Sequence, residues 1–588
     1  MRLEDYWGVG PKTRTLLADS LGVEAAIEAI ERGDVRALVD AGLPRGRATR
    51  ILRHAHGGAA MDLLATRDAR AVYKELLDLA VEHAVTPDAA DRIRILTPLA
   101  DPEAMADRLR RIEDARTAWR DLDDRDREAL IRAFERDGSA AGTRADLGAV
   151  RSARAIQDLG PEGAVFDPIL VLDADALSAA EGALAGFAGS GERVGEGADD
   201  RLDDLRAQLG AVEDLAAAPG DVLATVREGA QATDDLRESL AREIAGKAGV
   251  DASRVRDAMP RDATDAADFV ESTLRDLAGD LRSAVDEREK SVAETLEADL
   301  AAARGTVDDA VSAVEDLGLL LSLARFAAAY DLAPPTLLAE RDTIAMVGGR
   351  NLSLVASGED VQPVTYAVGD HDLPVASAND PPRGDRVAVL TGANSGGKTT
   401  LLETVCQVQL LAQMGLPVPA EAAQVSPVDD IVFHRRHASF NAGVLEATLR
   451  TVVPPLTDQG RTLMLVDEFE AITEPGAAAD LLHGLVTMTV DAEALGVFVT
   501  HLAADLEPLP AVARIDGIFA EGLTPELALE VDYQPRFGTV GRSTPEFIIS
   551  RLVAEASDRA ERTGYRALAE AVGEEAVQRT LADARWGA

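Results

Sequence analysis

The stretch "TGANSGGKTT", residues 391–400, decides the organisation of this 588-residue chain. Residues Gly392 to Thr399 fit the pattern GxxxxGK[ST], in which glycines let backbone N–H groups converge on phosphates. The apolar run "VAVL" precedes the pattern and the run "TLLETVCQVQLLAQ" follows it, which predicts the strand, loop and helix that such a loop requires. We therefore expect a nucleotide site here.

Each part of this phosphate loop has an expected role. Lys398 neutralises the β- and γ-phosphates of ATP, and the hydroxyl of Thr399 binds Mg²⁺. The following helix directs its positive end at the phosphates. The residues expected to contact the ATP phosphates are Gly392, Ala393, Asn394, Ser395, Gly396, Gly397, Lys398, Thr399 and Thr400. The sequence thus predicts ATP and Mg²⁺ as cofactors.

A second apolar run, "TLMLVDEFE", ends in two carboxylates. Asp467 is expected in the Mg²⁺ shell and Glu468 is expected to orient or deprotonate the attacking water. The alternative is a pair of solvated carboxylates at the end of a strand. His501 follows "VFVT" and is expected near the γ-phosphate, either as a catalytic residue or as a structural one. The sequence therefore predicts a Mg²⁺-dependent ATPase.

Composition limits the class of protein. The formal net charge is −43, the acidic residues are spread along the chain, and only five lysines are present. This pattern indicates a protein kept soluble in a high-salt cytoplasm, although a charged tail would be an alternative cause. Cys406 is the only cysteine, which excludes an intrachain disulfide. No apolar run approaches the roughly 20 residues that span a bilayer, so we expect no membrane partner.

Residues 1–56 differ from the rest of the chain in charge. They hold nine Lys or Arg against eight Asp or Glu, and the stretches "GVGPKTRTLLADSLGV" and "AGLPRGRATRILRHAH" each join a Gly/Pro turn to a basic helix. The pair resembles a tandem helix-hairpin-helix module, which presents backbone amides to DNA phosphates without reading bases. The alternative is a helical cap that binds nothing. The residues expected to bind DNA are Gly8, Gly10, Lys12, Arg14, Arg45 and Arg47.

The middle of the chain is predicted to be helical. A glycine-rich stretch, "GFAGSGERVGEG", reads as a loop or linker ending at Gly197. Apolar residues from Val270 to Val285 step by four and three, which predicts a long helix. That helix belongs either to a protruding two-helix arm or to an ordinary bundle. A separate apolar helix is expected at 317–334, and short strands alternating with helices from about 340 onward predict a mainly parallel sheet.

Four motifs together carry a family resemblance. The runs "TGANSGGKTTLLE", "HASFNAGVLEATL", "LMLVDEFEAITEPGAAA" and "VFVTHLAADL" resemble, in order and approximate spacing, the ATPase domain of the MutS family. The chain looks most similar to the archaeal branch of the MutS-two subfamily, since "ITEPGAA" and "FGTVGRSTPEFIISRL" resemble that subfamily's motifs. In the family, a Ser-Thr-Phe triplet reaches the partner's γ-phosphate. Here the triplet is Ala438-Ser439-Phe440, so the resemblance assigns the contact across the dimer to Ser439.

The resemblance implies a domain order. It comprises a tandem helix-hairpin-helix, an all-α core, lever and clamp region with paired long helices, and an ABC-type α/β P-loop ATPase domain. We expect no mismatch-reading element and no small nuclease domain. The expected boundaries are 1–56 for the DNA-binding module, 57–200 for the first part of the core, 201–316 for the lever and clamp, 317–340 for the return helix, 341–555 for the ATPase domain and 556–588 for C-terminal helices.

The function that follows from the resemblance is an ATP-gated, homodimeric clamp that binds duplex or branched DNA without sequence specificity, in recombination or repair rather than mismatch recognition. An alternative is an ATPase that uses the same motor on ribosomes or RNA. A third possibility, a chromosome-structuring coiled-coil ATPase, is disfavoured because the chain has no LSGG signature.

Overall fold

The computed structural model divides into two compact units. One contains residues 1–122, 163–165 and 318–588, and the other contains 123–162 and 166–317. The structure describes residues 2–135, 143–188, 193–229, 233–373, 380–392, 397–436, 442–458, 460–472, 475–524, 527, 529–541, 545–573 and 577–581. None of the helices in these ranges combines the length and the apolarity that crossing a membrane requires.

The first unit begins with four short helices that share one small core. They are α1 (Pro11–Leu21), α2 (Val23–Arg32), α3 (Val35–Asp40) and α4 (Arg45–Gly57). The turn before α1 contains Gly8 at φ +80°, and the turn before α4 contains Gly42 at φ +99°. The residues after these glycines, Val9 and Leu43, are both buried in the shared core. The two turns are therefore built alike, as the repeated sequence predicts.

Three further helices join this module to the sheet of the first unit. They are α5 (Arg67–Val81), α6 (Pro87–Arg94) and α7 (Pro102–Asp121). The Thr66 hydroxyl donates to the carbonyl of Phe433 and accepts from its N–H, at 2.6 and 3.1 Å. Leu99 N–H donates to the Gln413 carbonyl at 2.8 Å. Residues 67–121, which the sequence assigned to a helical core at 57–200, therefore pack in the same unit as residues 318–588.

The second unit is almost entirely helical. Its elements are α8 (Asp124–Glu135), α9 (Thr143–Leu159), α10 (Asp167–Leu170), α11 (Ala174–Ala185), the two-residue strands β1 (Phe187–Ala188) and β2 (Arg193–Val194), α12 (Asp200–Ala217), α13 (Pro219–Gly229), α14 (Thr233–Ala248), α15 (Ala252–Asp257) and α16 (Ala266–Ala329). The strands pair antiparallel inside the glycine-rich stretch that was expected to be a loop.

The longest element, α16, bears on two predictions for the middle of the chain: an arm or a bundle, and a boundary at 316. It has 64 residues, which at 1.5 Å per residue makes it about 96 Å long. Its first half shares a buried core with α12, α13, α14 and α15, so this part forms a bundle rather than a bare two-helix arm. The helix continues past 317 without interruption, so the boundary predicted at 316 lies inside one helix, but within one residue of the division between the two units at 317/318.

The rest of the first unit contains two sheets. The strands are β3 (Thr336–Leu337), β4 (Thr343–Gly349), β5 (Val364–Gly369), β6 (Val387–Gly392), β7 (Ala422–Val425), β8 (Asp430–His434), β9 (Thr462–Asp467), β10 (Leu495–Val499), β11 (Ala513–Leu523) and β12 (Leu529–Phe537). The helices are α17 (Leu352–Ala356), α18 (Lys398–Gln413), α19 (Ala442–Val452), α20 (Pro454–Thr457), α21 (Pro475–Asp491), α22 (Pro545–Glu555) and α23 (Arg559–Val572).

The larger sheet brings the predicted site residues to one edge. Its strand order is β12-β11-β6-β10-β9-β8, and all neighbours are parallel except β12 with β11. The smaller sheet has the order β3-β7-β4-β5. Helix α18 shares its buried residues with a core that includes α5, the last part of α16 and strands of both sheets. The carboxyl ends of β6, β9 and β10 consequently meet beside the start of α18.

Candidate ATPase site

The described ends of the phosphate loop require glycine. Gly392, the last residue of β6, has φ +132°, and a Cβ there would lie 2.2 Å from the carbonyl oxygen of Ile518. Gly397, at φ +69°, is the residue before α18. A side chain at either position would clash or strain the backbone, so the two glycines fix where the loop leaves the sheet and enters the helix. Residues 393–396 lie outside the described residues.

Lys398, the first residue of α18, lies at this junction. Its side chain is buried, and Nζ donates to the carbonyl of Gly392 at 2.9 Å. Burial lowers the pKa of this amine, and the negative charges of Glu468 and Asp467 oppose that shift. The lysine side chain thus reaches from the first residue of α18 to the last residue of β6, the two ends of the phosphate loop. Its predicted role at the phosphates requires this position.

Asp467 and Thr399 meet as the Mg²⁺ prediction requires. Asp467 ends the buried strand β9, and its Oδ2 accepts a hydrogen bond from the Thr399 hydroxyl at 2.7 Å. Its Oδ1 is buried and accepts no hydrogen bond within the described part of the chain. Burial raises the pKa of this carboxyl. A buried carboxylate oxygen without a donor fits a hard divalent cation, so the donor set suits Mg²⁺.

Glu468 is held between two side chains. Its Oε1 lies 3.2 Å from Nε2 of His501, and its Oε2 lies 2.7 Å from Nη1 of Arg436. The carboxylate is only 11% exposed. The backbone is left-handed at this residue, with φ +43°, which for a residue other than glycine costs about 1 kcal/mol. Strain at this position is consistent with a functional residue.

Two residues that contact Glu468 or His501 were not predicted from the sequence. Glu470 accepts hydrogen bonds from the N–H of His501 at 2.6 Å and from the hydroxyl of Thr500 at 2.8 Å. It therefore fixes the turn that presents His501 to Glu468. Arg436 is the other residue, and only its spatial contact with Glu468 reveals it. The one sequence signal for Glu470 was its position two residues after Glu468, in the motif that follows β9.

A cavity of about 450 Å³ opens beside the first turn of α18. Its lining includes Lys398, Thr399 and Glu468, the apolar or aromatic side chains of Leu354, Val361 and Tyr533, and the polar side chains of Glu359, Asp360 and Gln362. The Tyr533 ring lies so close to Gly397 that a Cβ on that glycine would be 2.8 Å from Cδ1 of the ring. The cavity thus combines side chains suited to phosphates with an aromatic ring on which a nucleobase can stack.

The C-terminal motif also reaches the phosphate loop. Gly541 N–H donates to the hydroxyl of Thr391 at 2.6 Å. A Cβ on Gly541 would lie 2.8 Å from Cα of Gly392. The segment that ends β12 and leads to α22 is therefore packed on the strand end that starts the loop. Ser439, predicted to contact the partner's γ-phosphate, lies outside the described residues.

Comparison with known proteins supports the same assignment. Residues 388–451, which include β6 and α18, match the family described as MutS domain V. The chain is 46% identical over 213 residues to "DNA-binding protein MutS2" of Pyrococcus furiosus. The predicted resemblance to the MutS family is therefore confirmed.

Two other MutS family relatives extend the match. The chain is 28% identical over 407 residues to "DNA mismatch repair protein MutS" of Natronomonas pharaonis, and 30% identical over 366 residues to "DNA mismatch repair protein MutS 2" of Halobacterium salinarum. These alignments cover 61% and 54% of this chain, and the Pyrococcus alignment covers 36%. The chain spans only 36%, 42% and 36% of the Pyrococcus, Natronomonas and Halobacterium relatives.

The residues predicted to bind DNA lie in the N-terminal module, in α1, α4 and the turns before them. Gly10 precedes α1, and a Cβ there would meet no atom within 4 Å. Lys12 is exposed, and Arg14 pairs with Glu4 at 3.0 Å. The guanidinium of Arg47 donates to the carbonyl of Gly8 at 3.4 Å.

Arg45 is engaged within the protein. Its Nη1 lies 2.7 Å from Oδ1 of Asp91, a buried carboxylate on α6 that also pairs with Arg94 at 2.7 Å. Arg45 therefore joins the N-terminal module to α6. Its predicted contact with DNA phosphate stays a prediction.

Proposed function

We propose that this chain is a Mg²⁺-dependent ATPase that works as a homodimer and uses ATP to change its hold on DNA. The observation that carries the proposal is the 2.7 Å hydrogen bond between Thr399 and Asp467, whose second oxygen is buried and has no donor among the described residues. The similarity to MutS family proteins, which are ATPases, supports it.

The residues of the site divide the chemistry of hydrolysis. Lys398 stabilises the charge that develops on the phosphates, and Thr399 and Asp467 hold Mg²⁺, which supplies further neutralisation when bound. Glu468 orients and deprotonates the attacking water. His501 and Glu470 act through Glu468. His501 contacts the carboxylate of Glu468, and Glu470 holds His501 in place. Tyr533 stacks on the base.

The grip on DNA is assigned to the N-terminal module. Gly10 leaves open space where a phosphate can approach the start of α1, whose N-terminal amides are suited to anions. Lys12 and Arg14 add charged donors. In a salt-rich cytoplasm, molar salt removes most of the free energy that Lys and Arg gain by releasing counterions from DNA. Hydrogen bonds from fixed backbone amides depend less on salt, so they suit these conditions. The relatives named as DNA-binding and mismatch repair proteins favour DNA as the partner.

The first experiment measures ATP hydrolysis in molar KCl, alone and with duplex DNA, branched DNA or ribosomes. Stimulation by DNA supports the proposal, and Glu468→Gln must abolish the activity in every arm. Stimulation by ribosomes alone would overturn the DNA assignment in favour of the translational alternative.

Two glycine variants, one of them a control, test whether the N-terminal module contains the DNA-binding site. Gly10 and Gly182 each have open space where a Cβ would lie, so neither substitution crowds a neighbour. Gly10→Val places a branched side chain where the phosphate would approach, whereas Gly182→Ala lies on α11 in the second unit. We expect Gly10→Val alone to reduce stimulation by DNA, with ATPase activity in the absence of DNA unchanged.

A further inference from the structure

Trp7 is an exposed aromatic side chain that the proposed ATPase chemistry does not use. It is 55% exposed, and among the described large apolar residues only Tyr533 is another exposed aromatic side chain. Tyr533 lines the nucleotide cavity. Trp7 instead lies in the first turn of the N-terminal module, directly before Gly8. An exposed indole beside a backbone turn suited to phosphates needs its own explanation.

The Trp7 ring is held in a defined position. It stacks on the imidazole of His54 from α4, with ring centroids 3.8 Å apart and an interplanar angle of 23°. Two nearby residues in the same segment, Tyr6 and Val9, are buried in the core of the module. Since His54 covers one side of the indole and more than half of the side chain remains exposed, the ring offers a fixed platform to a partner.

The charges around this platform suit a polyanion. Helix α4 carries four arginines and no acidic residue, in a chain whose formal net charge is −43. Arg47 and Arg50 are exposed on this helix, and Arg47 reaches the carbonyl of Gly8, the residue after Trp7. Proteins that bind single-stranded nucleic acid combine an exposed aromatic face, which stacks on the bases, with positive charge that follows the backbone. Trp7, the exposed arginines of α4 and the amides at the start of α1 offer the same combination.

The structure assigns to Trp7 the stacking of an unpaired nucleobase at a fork. A base inside a continuous duplex is already covered on both faces by its neighbours, whereas an unpaired base has a free face to stack on the indole. Trp7 would therefore make the module prefer branched or frayed DNA over continuous duplex. This inference rests on the proposed DNA-binding function and specifies which DNA structure the module selects.

The test compares two DNA ligands on the full-length protein in molar KCl, by fluorescence anisotropy. One is a fork with an unpaired flap, and the other is a continuous duplex of the same length. We expect the wild type to bind the fork more tightly, and Trp7→Ala to weaken fork binding about tenfold while leaving duplex binding unchanged. Trp7→Phe, which keeps a ring, should retain most of the preference. Val23→Ala, which trims another exposed apolar side chain of the same module, should change neither affinity.

A second readout reports stacking directly. With 2-aminopurine at the unpaired position of the fork, its fluorescence should be quenched by the wild type and not by Trp7→Ala. Equal losses on fork and duplex, or no loss on the fork, would overturn the role of Trp7 and leave the proposed function standing. Failure of the wild type to bind either ligand would overturn the proposed function itself.

Discussion

Arg436 forms an ion pair with Glu468, with Nη1 2.7 Å from Oε2. The other carboxylate oxygen of Glu468 faces His501 at 3.2 Å. Both oxygens of the expected general base are thus engaged by side chains, which compete with the attacking water for the carboxylate. Arg436 is 56% exposed, so it is the partner that can leave.

We expect Arg436→Gln to raise the ATPase rate measured without DNA by about threefold, because a partly exposed ion pair stabilises the closed arrangement by about 0.5 to 1 kcal/mol. Steady-state hydrolysis measures this. Arg435→Gln is the matched control, since Arg435 pairs with Glu403 at 3.1 Å. A large drop in kcat for Arg436→Gln would show instead that the arginine assists the transition state.

Tyr533 supplies a second prediction, on nucleotide affinity. Removal of its ring by Tyr533→Ala should raise KM for ATP about tenfold and leave kcat nearly unchanged, because stacking on the base is equal in the ground and transition states. Tyr533→Phe retains the ring and should behave like the wild type. A fall in kcat at unchanged KM would place Tyr533 outside the base pocket.

Asp91 gives a prediction about stability. Its buried carboxylate faces Arg45 and Arg94 at 2.7 Å and Arg36 at 3.9 Å, and so connects α3 and α4 with α6. Asp91→Ala leaves these arginines without their shared partner. Because the arginines are partly exposed, we expect a loss of about 2 kcal/mol rather than the full cost of a buried charge. A thermal melt should show a lower Tm. Asp78→Ala, which breaks an exposed pair with Lys74, should leave the Tm unchanged.

Cys406 offers a probe of α18, the helix that follows the phosphate loop. The thiol is fully buried, and burial raises its pKa far above the ordinary value. Since only the thiolate reacts, labelling by a thiol reagent at about pH 8 should be very slow in the native protein and complete in denaturant. As Cys406 is the only cysteine, the signal is unambiguous. Rapid labelling under native conditions would mean that α18 opens readily.

The sequence predicted the strands beside the candidate ATPase site better than the arrangement of the helices. The apolar runs before Gly392 and Asp467 are buried strands, and local pattern is sufficient to find those. The continuity of α16 was missed because its apolar content rises after Leu317, where the helix enters the core of the first unit, and a change of composition resembles a new element. Amphipathic periodicity likewise does not say which partner α5 packs against.

Arg436 and Glu470 were missed for a related reason. Neither belongs to a local motif that assigns it a role, and their roles depend on contacts with Glu468 and His501 from other segments of the chain. Such contacts are set by the order of strands β8, β9 and β10 in the sheet. Tyr533 is comparable, because the antiparallel strand β12 brings it to Gly397 from 136 positions later in the chain.

We propose that nucleotide bound at Lys398, Thr399 and Asp467 controls the affinity of the protein for DNA. The most direct measurement is the affinity of Glu468→Gln for branched DNA in molar KCl with ATP, with ADP and without nucleotide, by anisotropy. We predict that the affinities with ATP and ADP differ about tenfold, the coupling expected between linked sites. Equal affinities in all three conditions, with ATP binding confirmed separately, would show that nucleotide does not control DNA binding.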